Sequence, residues 1–159
     1  MKLITCLLAV ALLPGTLFAQ QKKLGEAASI QSVEIKGVAI PGSRVTAVVT
    51  VKLDKGYHVH SNKPSQPEFI PTVLSLNSAS GIRAGTIAYP EGKSEKVEGL
   101  PKPLSVYEEH FELSIPLGLS GSVKLPATIP AVLSYQACRG AKCYAPQKLK
   151  FDITLPAPK

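Results

Sequence analysis

Apolar and polar residues alternate with a period of two along much of this chain, and no segment carries a long apolar repeat at helical spacing. The clearest case runs from Arg44 to Leu53. Val45, Ala47, Val49, Val51 and Leu53 share one face, while Arg44, Thr46, Thr50 and Lys52 lie on the other, as in a strand with one side in a core and one in water. Lys148 to Leu155 repeats the pattern, with Leu149, Phe151, Ile153 and Leu155 inward, and Pro156 stops it. Tyr107, Phe111, Leu113 and Ile115 alternate with Glu108, His110, Glu112 and Ser114. Weaker segments lie at Val33 to Ile40, Tyr57 to His60, Thr72 to Leu76, Ile82 to Ala88 and Val132 to Tyr135. The 14 Pro and 12 Gly residues recur between these segments. The pattern predicts an all-β domain of about seven or eight antiparallel strands in an immunoglobulin-like sandwich of two sheets, although a barrel shares it. Two Pro-rich connections, Ser61 to Pro71 and Pro90 to Pro103, are long enough for a functional role.

The N-terminus departs from this pattern. Met1-Lys2 precedes an apolar run from Leu3 to Leu13, which Pro14-Gly15 breaks, and Ala19 followed by Gln20, Gln21, Lys22 and Lys23 suits cleavage after Ala19. Residues 1–19 are therefore expected to be a signal peptide and residues 20–159 one domain, large enough at about 140 residues for a core of its own. The apolar run is shorter than the roughly 20 residues a bilayer span needs, so no membrane span is expected after signal removal. Such a product is periplasmic or secreted, in an oxidising compartment. The formal net charge of +7 comes from scattered Lys and Arg residues rather than a basic stripe, which speaks against nucleic acid as a partner.

Cys6 leaves with the signal, so two cysteines remain in Tyr135-Gln136-Ala137-Cys138-Arg139-Gly140-Ala141-Lys142-Cys143-Tyr144-Ala145-Pro146. Within the chain they can pair only with each other. A disulfide here closes a loop of about six residues, for which chain entropy yields ~2 kcal/mol against ~4 to 5 for a hundred-residue loop. Stabilisation is a poor account of that placement. Arg139 and Lys142 inside the loop favour the thiolate that exchange chemistry needs, and Gly140 permits a tight turn. A small structural disulfide fits the same residues. Zinc fits less well, because the only other soft donors are His58, His60 and His110, in an unsuitable order.

The run from Tyr135 to Pro146, preceded by Gly56-Tyr57-His58-Val59-His60-Ser61, Ile70-Pro71-Thr72 and Val106-Tyr107-Glu108-Glu109, resembles the N-terminal periplasmic domain of the thiol:disulfide interchange protein DsbD over nearly the whole mature chain. The Tyr-Gln-x-Cys motif with its second cysteine, aromatic residue and Pro is the most specific element. The resemblance implies an immunoglobulin-like fold that passes reducing equivalents through a cysteine pair on a loop between strands, with no cofactor. It assigns the mixed disulfide with partners to Cys143 and its resolution to Cys138. It also implies a cap loop within Val97 to Pro103, centred on Glu98, Gly99, Leu100 and Pro101, with Leu100 where the family carries a Phe. The prototype continues into a membrane-embedded conduit and a thioredoxin-like domain, whereas this chain stops at Lys159. A stand-alone module is therefore expected, exchanging with thioredoxin-like or other periplasmic redox proteins. The competing class is a secreted β-sandwich binding module for adhesion, chaperoning or copper handling, with a structural disulfide.

Five further side chains complete the candidates. His58 and His60, two apart, share one face of a strand and offer two nitrogens to a metal, but Tyr57 and Val59 continue the core alternation, which places the histidines in solvent. No metal is then expected. Glu95 and Glu98 flank the cap and read as solvated carboxylates. Phe69 reads equally as a partner contact or as core packing.

Overall fold

The computed structural model describes residues 23–77 and 79–158, so the expected signal peptide and cleavage site lie outside the described residues. All secondary structure in the described residues is strand: β1 (Ala28–Lys36), β2 (Arg44–Leu53), β3 (His58–His60), β4 (Val73–Leu76), β5 (Ile82–Ala84), β6 (Lys93–Glu95), β7 (Leu104–Glu108), β8 (His110–Leu119), β9 (Ala127–Tyr135), β10 (Ala137–Arg139), β11 (Lys142–Cys143) and β12 (Gln147–Leu155). Seven of these have four residues or more, and match the number of strands the alternation predicts. Of the remaining short strands, β3, β6, β10 and β11 are where the site lies.

The strands form three antiparallel sheets, in orders β1-β2-β8-β5, β11-β10-β3-β7-β6 and β12-β9-β4. One hydrophobic cluster joins them, with Ala47, Val49, Val51 and Leu53 of β2 and Phe111, Leu113, Ile115 and Leu117 of β8 from the first sheet. Val59, Tyr107 and Ala137 enter it from the second sheet, and Leu74, Leu133, Ile153 and Leu155 from the third. The fold is an all-β, immunoglobulin-like sandwich.

The second and third sheets arise because two strands change partners. The alternation from Tyr107 to Ile115 reads as one strand but is two, since Glu109 at φ 53° breaks it and sends β7 and β8 into different sheets. Tyr107 and Phe111 still meet across the bend, their rings stacked at 4.5 Å, so the apolar pattern passes through unbroken. Likewise β9 pairs with β12 and β4 up to Tyr135, and after Gln136 the chain continues as β10 beside β3. Pro130, which obscures the start of β9 in the sequence, lies past the β4 ladder that pairs residues 131–134, where its missing N–H is not needed.

Candidate functional site

The cysteines sit on a minimal hairpin. Arg139 pairs with Lys142 across a two-residue turn whose first residue, Gly140, has φ 56°, a backbone conformation that favours glycine. Cys138 and Cys143 are then direct cross-strand partners with Cα atoms 4.0 Å apart, and they form the disulfide. The two sulfurs differ in access: Cys138 is 0% exposed, while Cys143 lies exposed on the edge strand β11. The cations of the turn are not free charges. The Arg139 guanidinium lies 4.4 Å over the Tyr57 ring and Lys142 Nζ 5.5 Å over the Tyr144 ring. Those two rings are 5.8 Å apart, and Gln136 Nε2 donates to the Tyr144 carbonyl at 2.9 Å. A rim of two aromatics and two cations thus surrounds the hairpin.

Behind the hairpin the register lines up a row. Cys143 pairs with Cys138, Cys138 with His58, and His58 with Glu108, so these four side chains share one face of the sheet. His60, two residues along β3, shares that face. The opposite face carries Val59, Tyr107 and Ala137 into the core. The alternation therefore assigns the histidines to the correct face, but the expectation that this face is wet fails: His58 is 3% and His60 1% exposed. Strand β3 is central in its sheet, and a second layer of loops covers it. Phe69 packs against His60 with ring centroids 4.5 Å apart and the rings tilted by 38°, which makes it neither a free partner contact nor part of the main core. The loop that carries Phe69 is tied down beside β3, where Thr72 Oγ1 donates to the His60 carbonyl at 2.6 Å and the Ser61 and Ser105 hydroxyls bond at 2.8 Å.

Glu95 also departs from expectation, because its Oε2 lies 3.1 Å from His58 Nδ1 and only Glu98 remains exposed at the turn. The contact is off hydrogen-bond geometry, which leaves Oε2 without a partner. Among the described residues the buried side-chain nitrogens and oxygens that lack a hydrogen-bond partner are His58 Nε2, both His60 ring nitrogens and Glu95 Oε2, all in this one site. Leaving such a group unsatisfied costs about 1–3 kcal/mol, so their concentration in one site indicates function rather than packing. Burial pushes the His58 pKa below its ordinary 6.5, with the Glu108 carboxylate opposing. Burial also lowers His60, helped by the neighbouring His58, while the Ile70 backbone opposes without reaching hydrogen-bond geometry. Glu95 is raised from 4.5 by burial and then by the charge of Glu108. The imidazoles are thus held neutral, with lone pairs available.

Residues 97–103, the expected cap, connect β6 to β7. Leu100 donates its N–H to the Val97 carbonyl at 3.1 Å and Gly99 has φ 86°. Leu100 is half-buried, and Glu98, Gly99 and Pro101 are exposed. On the His58 side a cleft of about 670 Å³ opens between Tyr57, Glu95, Glu108, His110 and Gly140. Sequence reasoning missed the joining of His58, His60 and Glu95 to the disulfide. The only sequence signal for it is the His-x-His itself, two imidazoles on one face of a short strand that the long connection from Ser61 to Pro71 follows.

An immunoglobulin-like domain whose single described disulfide buries one sulfur and presents the other defines the class as a thiol–disulfide transfer module. The sequence model described as thiol:disulfide interchange protein DsbD, N-terminal, matches residues 27–155, and the chain belongs to that family. Among solved structures it is similar to the reduced N-terminal domain of Neisseria meningitidis DsbD, at 21% identity, with 80% of this chain and 90% of that chain covered and a TM-score of 0.47. It is also similar to the N-terminal periplasmic domain of ScsB from Proteus mirabilis, at 14% identity, with 84% and 49% covered and a TM-score of 0.55, a likeness of fold. A third match is the complex between the DsbD and PilB N-terminal domains of Neisseria meningitidis, at 21% identity, with 88% and 94% covered and a TM-score of 0.46. No curated protein matches the chain. Among the described residues no helix is long and apolar enough to cross a membrane.

Proposed function

We propose that this protein is a protein-disulfide reductase module of the periplasm, or of the secreted space, that relays reducing equivalents between separate redox proteins, thioredoxin-like ones foremost. The observation that carries this reading is the unequal exposure of the two sulfurs, 0% for Cys138 against an exposed Cys143 on an edge strand. In the loading half-reaction a partner thiolate attacks Cys143 Sγ, the disulfide breaks, and Cys138 leaves as a thiolate that takes up a proton. The partner's second thiolate then attacks its own sulfur in the mixed disulfide, releasing Cys143 as a thiol and the partner as a disulfide. In the unloading half-reaction the Cys143 thiolate attacks an oxidised partner. The Cys138 thiolate then attacks Cys143, which restores the original bond and frees a reduced partner.

The rim of Tyr57, Tyr144, Arg139 and Lys142 supports docking around Cys143, and the adjoining cleft supports entry of a partner loop. A capping role for residues 97–103, with Glu98, Gly99, Leu100 and Pro101 at its centre, rests on the family resemblance. Equilibration with thiol–disulfide buffers tests the reading. A potential near about −230 mV is expected for an exchangeable pair, and a value well below about −300 mV would return the bond to a structural role.

A further inference from the structure

We propose that opening the disulfide creates a binding site for one thiophilic d10 cation, zinc or copper(I), built from His58, His60, Cys138 and Cys143. Donor atoms of His58, His60 and Cys138 lie within 4.8 Å of one another, and all three residues are buried. Bonds of about 2.0–2.3 Å to such an ion put neighbouring donors about 3.3–3.8 Å apart, so modest side-chain rotation closes the set. Two observations point to a ligand beyond this proximity. The available nitrogens, His58 Nε2 and both of His60, have no hydrogen-bond partner despite their burial. Glu95 Oε2 lies 3.1 Å from His58 Nδ1, the ring nitrogen that Nε2 ligation leaves over, so a small rotation of either side chain would give the hydrogen bond of a carboxylate–histidine–metal arrangement. Cys143 is the direct cross-strand neighbour of Cys138, which makes it the fourth ligand once its sulfur is free. Two imidazoles and two thiolates form a set selective for zinc or copper(I) over harder ions.

The expectation of no metal rests on histidines in water, which the structure removes. In the oxidised protein both sulfurs are tied in the disulfide and neither is a thiolate, so the site is gated by redox state. A dithiol reductant transfers two electrons and two protons to the Cys138–Cys143 bond, yielding two thiols and the reductant's own disulfide. The cation then displaces the proton from each thiol and releases it to solvent, leaving Cys–S–metal bonds. This inference goes beyond the exchange reading and rests on it only in requiring that a dithiol can open the bond.

The test titrates the mature chain, reduced with dithiothreitol and freed of it under anaerobic conditions, with Zn²⁺ or Cu⁺ against a chromophoric chelator. One equivalent of either ion per reduced chain is expected, with affinity at least 100-fold weaker in the oxidised chain. His58→Gln and His60→Gln should each weaken binding by 10-fold or more, and Glu95→Gln by about 10-fold without loss of stoichiometry. Comparing the two oxidation states of the unaltered chain needs no variant to fold. Failure of both ions to bind the reduced chain overturns the proposal, as does equal binding by the oxidised chain or by Cys138→Ser. Metal binding by a chain that forms no mixed disulfide with partners would uphold the metal site while the exchange reading fails.

Discussion

The sheet β1-β2-β8-β5 and the sheet β11-β10-β3-β7-β6 use burial in opposite ways. In the first, Val45, Ala47, Val49 and Val51 of β2 face the core while Arg44, Thr46, Thr50 and Lys52 face outward, and the buried positions are uniformly apolar. In the second, Val59, Tyr107 and Ala137 seal one face against the same core, and the other face buries two imidazoles and a sulfur under loops. The first sheet holds the fold together. The second gives up some of that stability to hold unsatisfied nitrogens beside a disulfide, which teaches that the two roles fall to different sheets around one core.

The largest expected effect comes from the first sheet. Leu113, fully buried on β8, should lose about 2–5 kcal/mol of unfolding free energy on Leu113→Ala, while the surviving folded fraction keeps its thiol exchange. Denaturant unfolding and exchange rates measured on the same sample check both halves. A smaller change is expected from the second sheet, since replacing both cysteines by Ser removes a bond that closes only a short loop, worth about 2 kcal/mol. A loss near 5 kcal/mol would erase the contrast and make the disulfide structural. Smaller again, His60→Leu removes two unpartnered nitrogens from a buried site and should leave stability unchanged or raise it by about 1 kcal/mol. A loss above about 2 kcal/mol would mean that the imidazole is a packing element after all.

The pH dependence sharpens the same contrast. His58 and His60, with pKa values lowered from 6.5, bind fewer protons folded than unfolded, so stability is full above pH 6.5 and declines as pH falls below it, levelling off under the folded pKa values. Glu95, raised from 4.5, acts oppositely: between 4.5 and its folded pKa it binds more protons in the folded state, so its share of stability falls as pH rises. Urea unfolding between pH 7.5 and 5.5 should show a decline on acidification that is shallower in His60→Leu. Stability that rises on acidification in this range would contradict neutral burial of the imidazoles.

The same contrast decides what the sequence made legible. Strands β2 and β12 are plain in it, because one face meets a continuous core and the other meets water, and that asymmetry is written in every second residue. The disulfide was legible because two cysteines in one short segment have no other mate. The change of sheet at Glu109 was hidden, since Tyr107 and Phe111 keep packing together across the bend. The burial of His58 and His60 was hidden for a different reason: Phe69, nine residues beyond His60 in the sequence, folds back against His60, and Glu95, far along the chain, meets His58. No local periodicity encodes a loop acting as a lid.

The central claim is that Cys143 meets the partner and Cys138 resolves the intermediate, and trapping tests it most directly. Each single variant, Cys138→Ser and Cys143→Ser, is reduced and then mixed with an oxidised thioredoxin-like protein of the same extracytoplasmic compartment, and the covalent adduct is quantified by non-reducing electrophoresis and intact mass. Cys138→Ser, which keeps the exposed thiol and lacks the resolving one, should accumulate a stable mixed disulfide, and Cys143→Ser should trap far less. Equal trapping by both variants, preferential trapping through Cys138, or no adduct with either would contradict the account.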